Sequence, residues 1–411
     1  MQGEKAQLGS IIPPEMKPAS ARDGQDKPPA PQDGTLEQAM IGVPHEGSEV
    51  KKTAVGGVAK PASLKDMIGQ MLMLGFKGTK PSEPGPQAAR ALLASGEIGG
   101  LIFMGENLVS RQQVKELVAY MKTANPRHGA PFISIDQEGG FVQRLQERHG
   151  FTMIPAAELV AVDDKIDEAR KTYNTLASEL ADVGFNMNFG PVVDLNLVPS
   201  NPIIGAKARS YGADPKKVQR FAKAFVKAHR GQNMLTAIKH FPGHGSSWTD
   251  SHEQFVDLSE SWKTQELEPY RVLVKAGMAD LVMVGHLYHP DFSDEKGRPA
   301  SLSHKAIIKR LRGDLGFKGL VITDDLGMGA VRKYFDFSEA LILAVNAGND
   351  ILLVAAGHYA GRRDVDLIQK TLLDAVAAGR ISRARIRRSY QRIIAAKARL
   401  AEQKAARGPS K

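Results

Sequence analysis

The sequence predicts an α/β protein folded as a single (β/α)8 barrel of the TIM type. Three observations favour this fold class. Eight short apolar runs, typical of buried strands, occur between residues 70 and 354. Segments with helical periodicity separate most of them, and this alternation implies parallel strands joined by right-handed crossovers. Eight units suit a closed barrel better than an open sheet, and the 411 residues exceed the roughly 250 that a barrel commonly needs.

The predicted elements follow one another with short joints. Strands are predicted over residues 70–76, 99–104, 131–136, 185–195, 234–241, 281–286, 319–325 and 350–354. Apolar side chains at helical spacing predict helices over residues 111–123, 163–183, 215–230, 264–277, 304–315 and 338–347. In a barrel, the carboxyl ends of all strands lie on one face, so polar residues at those ends are expected to form the site.

The composition is that of an ordinary globular protein, with 42% hydrophobic and 24% charged residues. The chain has no cysteine, which excludes disulfides and thiolate metal sites. No apolar run approaches the roughly 18 residues of a membrane-spanning helix, so no membrane span is expected.

Residues 1–60 are predicted to be a disordered, Pro-rich arm. They contain several prolines interleaved with polar and small residues, and no Phe, Trp or Tyr. Such a segment buries too little apolar surface to offset the entropy lost on ordering. It has no hydrophobic region typical of an intact signal peptide. The predicted location is the cytoplasm, and the alternative is a periplasmic or exported protein whose signal peptide is absent from this chain.

The C-terminal segment carries the net positive charge. Residues 380–411 include eleven Lys or Arg and one Glu, and the whole chain has a formal charge of +10. Apolar side chains recur there at helical spacing, so one helix face is expected to pack on the barrel while the arginines stay solvated. Attraction to polyanions is the alternative, but no nucleic-acid-binding motif accompanies the charge. The barrel is predicted to span residues 61–405, and residues 406–411 are predicted to form a basic tail.

A dense cluster of ionisable residues follows the predicted fifth strand. The segment KHFPGHG begins at Lys239, and the chain continues to Asp250 and His252. It leaves an apolar strand and breaks at once into Pro and Gly, so these side chains lie on a loop at a strand end. Barrel enzymes keep their chemistry on such loops.

Other kinds of site agree less well with this cluster. A metal site would use His240, His244 and His252, but His-x3-His suits zinc when both histidines lie on one helix face, and Pro242 excludes a helix here. A serine hydrolase would use Ser246–Ser247, yet no G-x-S-x-G sequence surrounds them. A polar loop with a purely structural role is the remaining alternative, but a second cluster of ionisable residues argues against it.

That second cluster, Asp324–Asp325, ends the predicted seventh strand. Adjacent carboxylates at a strand end are costly to bury. Asp325 suits a cap, whereas Asp324 is the first polar residue past the strand and is better placed to face a pocket. Together with Asp250 and His252, Asp324 would supply the nucleophile and the acid/base group that a retaining glycosidase needs.

These residues resemble the N-acetylglucosaminidase branch of glycoside hydrolase family 3. The pattern KHFPGHG followed by DSH is highly specific to that branch, and the resemblance covers roughly residues 63–400. Supporting matches are IDQEGG and VQR from residue 135, GPVVDL from residue 190, ARSY from residue 208 and TDD from residue 323.

The resemblance implies roles for individual residues. Asp324 would be the nucleophile, His252 the acid/base and Asp250 its partner. The terminal sugar would be bound by Asp136, Arg144, Arg209, Lys239 and His240. Two further strand-end residues, Asp194 and His286, are interpreted instead as a cap and as a rim histidine with hydrogen bonds of its own.

The resemblance further implies a retaining β-N-acetylglucosaminidase that removes terminal β-linked N-acetylglucosamine and needs no cofactor or metal. The implied natural substrate is a muropeptide derived from peptidoglycan, as in cell-wall recycling. The alternatives are a family 3 β-glucosidase, an N-acetylglucosamine phosphorylase and an inactive cell-wall-binding protein on the same scaffold. No nucleic-acid partner is expected, and the sequence leaves the oligomeric state open.

The loop from Gly243 to His252 is predicted to close over bound sugar, because its glycines permit large backbone changes. Trp248 within this loop would either stack on a sugar ring or anchor the loop in the core. Trp262 is expected to be a packing residue.

Overall fold

The computed structural model describes residues 61–124, 127–359 and 361–407. The predicted disordered arm, residues 1–60, lies outside the described residues, and so does most of the predicted basic tail. The predicted boundary at residue 405 falls inside a helix that continues to Arg407. Within the described ranges, no helix combines the length and the apolar character needed to cross a bilayer.

Eight parallel strands form the barrel, as predicted. Strands that are consecutive along the chain pair with one another, and the first strand also pairs with the eighth. An isolated parallel bridge between Ile322 and Ile351 joins the seventh strand to the residue before the eighth and so closes the ring. The strands are β1 Leu72–Gly75, β2 Gly100–Phe103, β3 Phe132–Ile135, β4 Met187–Asn188, β5 Leu235–Phe241, β6 Leu281–Val284, β7 Leu320–Thr323 and β8 Leu352–Tyr359.

Helices occupy the connections between the strands. Several begin at a capping side chain that accepts a backbone N–H bond, namely Ser63, Asp214 and Asp336. The α-helices are α1 Leu64–Gln70, α2 Pro84–Ser95, α3 Arg111–Lys122, α4 Ala157–Ala161, α5 Ile166–Val183, α6 Pro215–Gly231, α7 Glu268–Lys275, α8 Gly329–Arg332, α9 Phe337–Ala347, α10 Arg362–Ala377 and α11 Arg383–Arg407, and a π-helix spans Lys305–Asp314.

Burial follows the sequence pattern of these elements. Every residue of β1, β2, β3 and β5 is buried, as expected for strands covered by helices outside and packed side chains inside. Helix α6 buries Val218, Phe221 and Phe225 on one face and exposes Lys216 and Lys227 on the other. The apolar runs and periodic segments of the sequence therefore become the barrel core and its helical layer.

The structure departs from the predicted elements in three respects. A long fourth strand is predicted over residues 185–195, but β4 has only two residues, because the chain turns after it: the N–H of Gly190 donates back to the Asn188 carbonyl, and Pro191 has no N–H to donate. The segment predicted as an ordinary helix over residues 304–315 forms the π-helix. Helices α1, α2, α4, α8 and α10 are not among the predicted segments. Helix α2 begins with Pro and Gly, which suggest a loop although Pro fits a first helical turn.

Helix α11 crosses the amino-terminal end of the barrel. Arg385 donates to the carbonyl of Asn349, just before β8, and Lys397 donates to the carbonyl of Gly99, just before β2. The prediction that the arginines of this segment stay solvated is therefore wrong for Arg385, and the lysine Lys397 is buried as well. Both are buried, because their polar groups find partners among the carbonyls at the strand starts.

Candidate active site

Predicted site residues from different strands meet at the carboxyl end of the barrel. Asp136 directly follows β3, Lys239 and His240 lie near the end of β5, and Asp324 directly follows β7. Parallel strands of a barrel end on one face, so segments distant in sequence come together there. The hydrogen bond from Lys239 to Asp136, across 103 positions of the sequence, is one such contact.

Lys239 joins two carboxylates in a buried network. Its Nζ lies 2.6 Å from Asp136 Oδ1 and 2.7 Å from Glu138 Oε1. Arg209 binds Glu138 in a bidentate manner, at 2.8 Å through Nε and 2.7 Å through Nη2, and its Nη1 donates to the carbonyl of Ile203. The Asp136 side chain retains 19% exposure, so it is the member of this network that a ligand can reach most easily.

Opposite charges keep this network ionised. Burial raises the pKa of Glu138, but the charges of Arg209 and Lys239 outweigh burial and hold that pKa well below its usual range. Burial lowers the pKa of Lys239, but Asp136 and Glu138 raise it above its ordinary value. Two cations thus face two carboxylates, which offsets much of the cost of removing these charges from water.

Asp194 orients His240. Nδ1 of His240 lies 2.7 Å from Asp194 Oδ2, and the backbone N–H groups of His240 and His244 donate to the same carboxylate. Burial raises the pKa of Asp194, but His240 and His244 bring it below its ordinary value. Asp194 therefore caps this loop, in line with its predicted role. It also holds the ring of His240, which is one of the residues predicted to bind the sugar.

Asp250 and His252 form a hydrogen-bonded pair on the loop after β5. Asp250 Oδ1 lies 2.9 Å from Nδ1 of His252 and accepts the His252 backbone N–H at 2.7 Å. The His252 side chain is 60% exposed. Because Nδ1 is engaged by the carboxylate, Nε2 is the ring atom that can exchange a proton with a ligand.

Two backbone hydrogen bonds fasten this loop to the segment that follows Asp324. The N–H of Gly329 donates to the His252 carbonyl at 3.0 Å, and the N–H of Ala330 donates to the Ser251 carbonyl at 3.2 Å. A Cβ atom at Gly329 would lie only 2.7 Å from the His252 carbonyl oxygen. The absence of a side chain at this position therefore allows the two segments to approach closely.

Asp324 is partly exposed at the end of β7. Burial raises its pKa, but the positive charges available at His240, His286 and His252 lower it to about 2. The backbone N–H of Asp325 also donates to Asp324 Oδ1 at 2.9 Å. Asp324 is therefore an ionised carboxylate at neutral pH, as a nucleophile must be.

Asp325 and His286 have the structural surroundings that the sequence suggests. Asp325 Oδ1 accepts the backbone N–H groups of Gly327 and Ala355, each at 2.9 Å, so Asp325 caps the turn after β7. His286 is buried, with Nδ1 2.7 Å from Ser301 Oγ and Nε2 2.9 Å from the Asp325 carbonyl. Both ring nitrogens of His286 are thus engaged within the protein.

Arg144 follows a short antiparallel hairpin formed by Gln137–Gly139 and Val142–Gln143. Its backbone N–H donates to Gln137 Oε1 at 2.8 Å. The Nε atom of Arg144 is buried and has no hydrogen-bond partner among the residues that the structure describes. A buried donor without a partner is costly, so this atom suits a ligand contact.

Each histidine of the loop has its own partner. His240 and His252 bind the aspartates named above, and His244 lies between the hydroxyls of Ser247 and Ser251, at 2.7 and 3.1 Å. Burial and the neighbouring His240 lower the pKa of His244 to about 4, so its ring is neutral. In the part of the chain that the structure covers, no group of three or more His, Cys, Asp or Glu side chains is arranged to hold a metal ion.

The two tryptophans differ in their surroundings. Trp248 is 67% exposed, so it does not anchor the loop in the core, which was one of its two predicted roles. Trp262 packs against Phe292, with ring centroids 4.9 Å apart, and its indole N–H donates to the Pro242 carbonyl. Trp262 is thus a packing residue, as predicted.

Glu138 is a site residue that the sequence analysis misses. It lies in the IDQEGG motif two positions after Asp136, and in extended backbone this spacing places both side chains on the same side. An acidic residue next to a buried strand also needs a cation. These two signals together are sufficient to include Glu138 in the site.

Comparisons with known proteins identify the family to which the barrel is similar. A family model described as the glycosyl hydrolase family 3 N terminal domain matches residues 63–396. Beta-hexosaminidase A of Pseudoalteromonas piscicida is 30% identical over 376 residues, which cover 84% of this chain and 62% of that protein. A Beta-hexosaminidase of Xanthomonas oryzae pv. oryzae is 34% identical over 293 residues, which cover 69% of this chain and 83% of that protein.

Solved structures resemble the whole barrel. A glycoside hydrolase family 3 beta-N-acetylglucosaminidase from Paenibacillus sp. str. FPU-7 has a TM-score of 0.75 and 36% identity, covering 83% of this chain and 63% of that one. A Beta-N-acetylhexosaminidase from Beutenbergia cavernae has a TM-score of 0.73 and 27% identity, covering 82% of this chain and 98% of that one. The chain therefore spans under two thirds of the Pseudoalteromonas and Paenibacillus proteins and nearly all of the Beutenbergia protein.

Proposed function

Because this chain belongs to glycosyl hydrolase family 3, we propose that it is a retaining β-N-acetylglucosaminidase. The observation that carries the proposal is the hydrogen-bonded pair Asp250 and His252, on a loop fastened to the segment that follows the ionised Asp324. A nucleophilic carboxylate and a group that can give and take a proton are the two functions that retention requires. The names of the similar proteins support an N-acetylated amino sugar as the substrate.

In the first step, the Asp324 carboxylate attacks the anomeric carbon. A covalent glycosyl ester forms through an oxocarbenium-like transition state as the bond to the leaving oxygen breaks. His252 donates the proton on Nε2 to that oxygen, so the alcohol leaves uncharged. Asp250, bound to Nδ1, stabilises the imidazolium before the transfer and keeps the ring in the required tautomer.

In the second step, water replaces the ester. His252 is now neutral and takes a proton from the water as its oxygen attacks the anomeric carbon and releases Asp324. The anomeric carbon has then been inverted twice, so the β configuration is retained. Imidazole changes charge near neutral pH, which suits a side chain that must act first as an acid and then as a base.

We assign the terminal sugar to the predicted binding residues around the buried network. Asp136 can accept hydrogen bonds from two hydroxyl groups, and the unpartnered Nε of Arg144 can donate to a sugar oxygen. Lys239 and His240 are held beside this position by their carboxylate partners. Arg209 uses Nε, Nη1 and Nη2 within the protein, so its main contribution is to hold the buried carboxylate that Lys239 also binds.

For the natural substrate we propose a muropeptide derived from peptidoglycan, processed in the cytoplasm. The support is the KHFPGHG and DSH pattern, which resembles the branch of the family associated with such fragments. The accessible acid/base side chain is consistent with a bulky leaving group, since His252 is the residue that faces the departing alcohol.

The test is the release of p-nitrophenol from its β-N-acetylglucosaminide and its β-glucoside, measured side by side with and without phosphate. We expect a strong preference for the acetamido sugar. In Asp324→Asn the rate should fall by about a thousandfold or more, because the nucleophile is lost. Asp314→Asn is the matched control, since Asp314 is exposed on the π-helix and should leave the rate unchanged.

Each other outcome would change the assignment. Equal rates, or preference for the glucoside, would contradict the acetamido sugar. Acceleration by phosphate with a sugar phosphate as product would identify a phosphorylase. Binding of muropeptides without any turnover would favour the inactive binding protein, and turnover of the aryl substrate without turnover of muropeptides would remove the proposed natural substrate.

A further inference from the structure

Glu266 is a buried carboxylate that the proposed mechanism does not use. It lies in the short 3-10 turn Thr264–Leu267 just before α7 and is 1% exposed. Burying a carboxylate is costly unless several donors surround it. The donors that surround Glu266 come mainly from the loop after β5, which also carries the proposed acid/base pair.

The contacts of Glu266 all use the carboxylate as an acceptor. Its Oε2 accepts the backbone N–H of Gly245 at 3.0 Å. Its Oε1 accepts the Ser246 hydroxyl at 2.6 Å and the backbone N–H of Lys263 at 3.4 Å. An ionised carboxylate accepts only, so the ionised form matches this set of three donors.

The turn that Glu266 binds is enclosed on two sides. A Cβ atom at Gly243 would lie 2.7 Å from Cβ and from Oε2 of Glu266. A Cβ atom at Gly245 would lie 1.7 Å from the Leu195 carbonyl oxygen, on the loop after β4. The two glycines therefore allow the turn to fit between Glu266 and the neighbouring loop, where it has little freedom to shift.

The side chain of His244 connects this turn to the acid/base pair. His244 directly precedes Gly245, and Nε2 of its buried ring lies 3.1 Å from the hydroxyl of Ser251. Ser251 stands in the sequence between Asp250 and His252. A continuous set of contacts thus leads from the Glu266 carboxylate to the pair.

We propose that the ionised carboxylate of Glu266 positions the Asp250 and His252 pair by holding the Gly245–Ser246 turn, and that protonation of Glu266 loosens this attachment and lowers turnover. This inference rests on the proposed function. Glu266 is a positioning residue in this scheme, since it acts through the loop and touches no reacting atom.

The electrostatic surroundings place this protonation in an accessible pH range. Burial raises the pKa of Glu266 to about 7, the hydroxyl of Ser246 opposes that shift, and the charge of Asp194 adds to it. From α7, the buried hydroxyl of Tyr270 also faces these carboxylates, and the loop contributes His244, whose ring is neutral. Glu266 is therefore ionised above about pH 7 and protonated below it.

The first experiment compares the pH dependence of kcat/KM for wild type and Glu266→Gln with p-nitrophenyl β-N-acetylglucosaminide. The glutamine keeps the shape of the side chain and mimics its uncharged form. Wild-type activity should fall on the acidic side with a midpoint near pH 7, and the variant should lack this fall. At about pH 8 the variant should be about tenfold slower, and at about pH 5.5 the two rates should agree within about twofold.

Two further variants keep this test decisive if Glu266→Gln folds poorly. Ser246→Ala retains the carboxylate but removes a donor that favours its ionised form, so the acidic midpoint should move to higher pH. Glu268→Gln is the control, because Glu268 lies two positions along the chain, is half-buried and pairs with Arg271 on the surface of α7, so its replacement should leave the profile unchanged. An acidic midpoint that is the same in wild type, Ser246→Ala and Glu266→Gln would overturn the proposal.

A second readout needs no substrate and so separates this inference from the proposed function. In a Trp248→Phe background, Trp262 is the sole tryptophan, and its indole binds the Pro242 carbonyl beside the turn. The fluorescence emission of Trp262 should change with a midpoint near pH 7 as Glu266 is protonated. Glu266→Gln should remove this change. It should leave the change caused by protonation of His289, whose ring lies 5.0 Å from that of Trp262. Turnover is measured on the protein that keeps Trp248. If that protein shows no turnover while the emission of Trp262 still titrates near pH 7, only the proposed function is refuted; if it shows turnover and the titration is missing, the attachment through Glu266 is refuted.

Discussion

Glu138 is the residue on which the charge balance of the sugar site depends most. It binds both Arg209 and Lys239, and all three side chains are buried. In Glu138→Gln, two buried cations would share the one remaining carboxylate of the network, Asp136. We expect the free energy of unfolding to fall by about 3 kcal/mol and KM to rise, because Lys239 and Asp136 would no longer be held in place.

Denaturant unfolding and steady-state kinetics test this expectation. Glu158→Gln is a suitable control because Glu158 is exposed on α4. If Glu138→Gln unfolds at the same denaturant concentration as the control, the network does not depend on its charge.

His252 acts in both chemical steps of the proposed mechanism. The effect of its replacement on the first step should depend on the leaving group of the substrate. In His252→Ala, hydrolysis of an alkyl β-N-acetylglucosaminide should slow by about a hundredfold or more, because the departing alkoxide receives no proton. The first step with a p-nitrophenyl leaving group should slow far less, since that phenol leaves without protonation. Burst and steady-state rates for both substrates measure the difference.

The exposed His304 provides the matched control for this variant, and His304→Ala should behave like wild type. The pH profile gives the second criterion. If His252→Ala keeps the wild-type profile, its assigned acid/base role is wrong.

At the scale of the element, the acid/base loop depends on close contact with the start of α8. Gly329 donates to the His252 carbonyl, and a Cβ at position 329 would lie 2.7 Å from the carbonyl oxygens of both His252 and Glu253. In Gly329→Ala the loop must move, so kcat for the alkyl substrate should fall by about tenfold, the rate effect of roughly 1.4 kcal/mol. The p-nitrophenyl substrate, which needs the acid less, should show a smaller loss.

A second glycine makes this test specific. Gly231 lies at the end of α6, and a Cβ there would meet no atom within 4 Å. Gly231→Ala should therefore keep wild-type kcat on both substrates. Equal losses in the two variants, or equal losses on the two substrates in Gly329→Ala, would contradict the role of this contact.

The predicted closure of the loop over bound sugar stays a prediction, and the contacts of the loop define how it could move. Glu266 holds it at Gly245, and Gly329 holds it at His252. Closure would have to break or stretch one of these attachments. An unchanged position of His252 in sugar-free and sugar-bound structures would argue against it.

At the scale of the whole molecule, α11 closes the barrel end opposite the site and buries a lysine there. Lys397 Nζ donates to Gln70 Oε1 at 2.7 Å and to the Gly99 carbonyl at 3.0 Å, and it lies 5.1 Å from the ring centre of Phe132. No carboxylate pairs with it within the described residues, and burial lowers the pKa of Lys397 to about 7. Burial of this ammonium group therefore destabilises the folded state near neutral pH.

This cost predicts how stability depends on pH. The ordinary lysine pKa is 10.5, so between about pH 7 and 10.5 the unfolded chain binds more protons at this position than the folded protein does. The contribution of Lys397 to the free energy of unfolding should thus rise with pH in this range. Below about pH 7 the lysine is protonated in both the folded and the unfolded state, so the full destabilisation from burying the cation should remain. Lys397→Met should remove this rise, as measured by denaturant unfolding from about pH 7 to about pH 10.

Lys318→Met serves as the control, because Lys318 is exposed and its replacement should leave the pH dependence of wild type. The same slope in Lys397→Met as in wild type would mean that this lysine does not titrate differently in the folded protein.

The sequence by itself determined the features that depend on local order along the chain. Alternating apolar runs and periodic segments specify eight strand-and-helix units, and a polar residue directly after a strand lies at the carboxyl end of the barrel, as Asp136 and Asp324 do. The pairing of Asp250 with His252 is also local, because two residues of separation allow the carboxylate to bind both the backbone and the ring of His252. Chain connectivity restricts such contacts strongly, so residue spacing predicts them.

Only the tertiary structure decided which charged groups that are distant in sequence pair with one another. Glu138 and Arg209 are 71 residues apart, and their pairing depends on how the loops after β3 and β4 cross the barrel mouth. The burial of Lys397 depends on α11 reaching the strand starts at the other end, and the role inferred for Glu266 depends on a turn fitting against it with no side chain in the way. These contacts follow from the packing of many elements at once, and no short segment of the sequence specifies them.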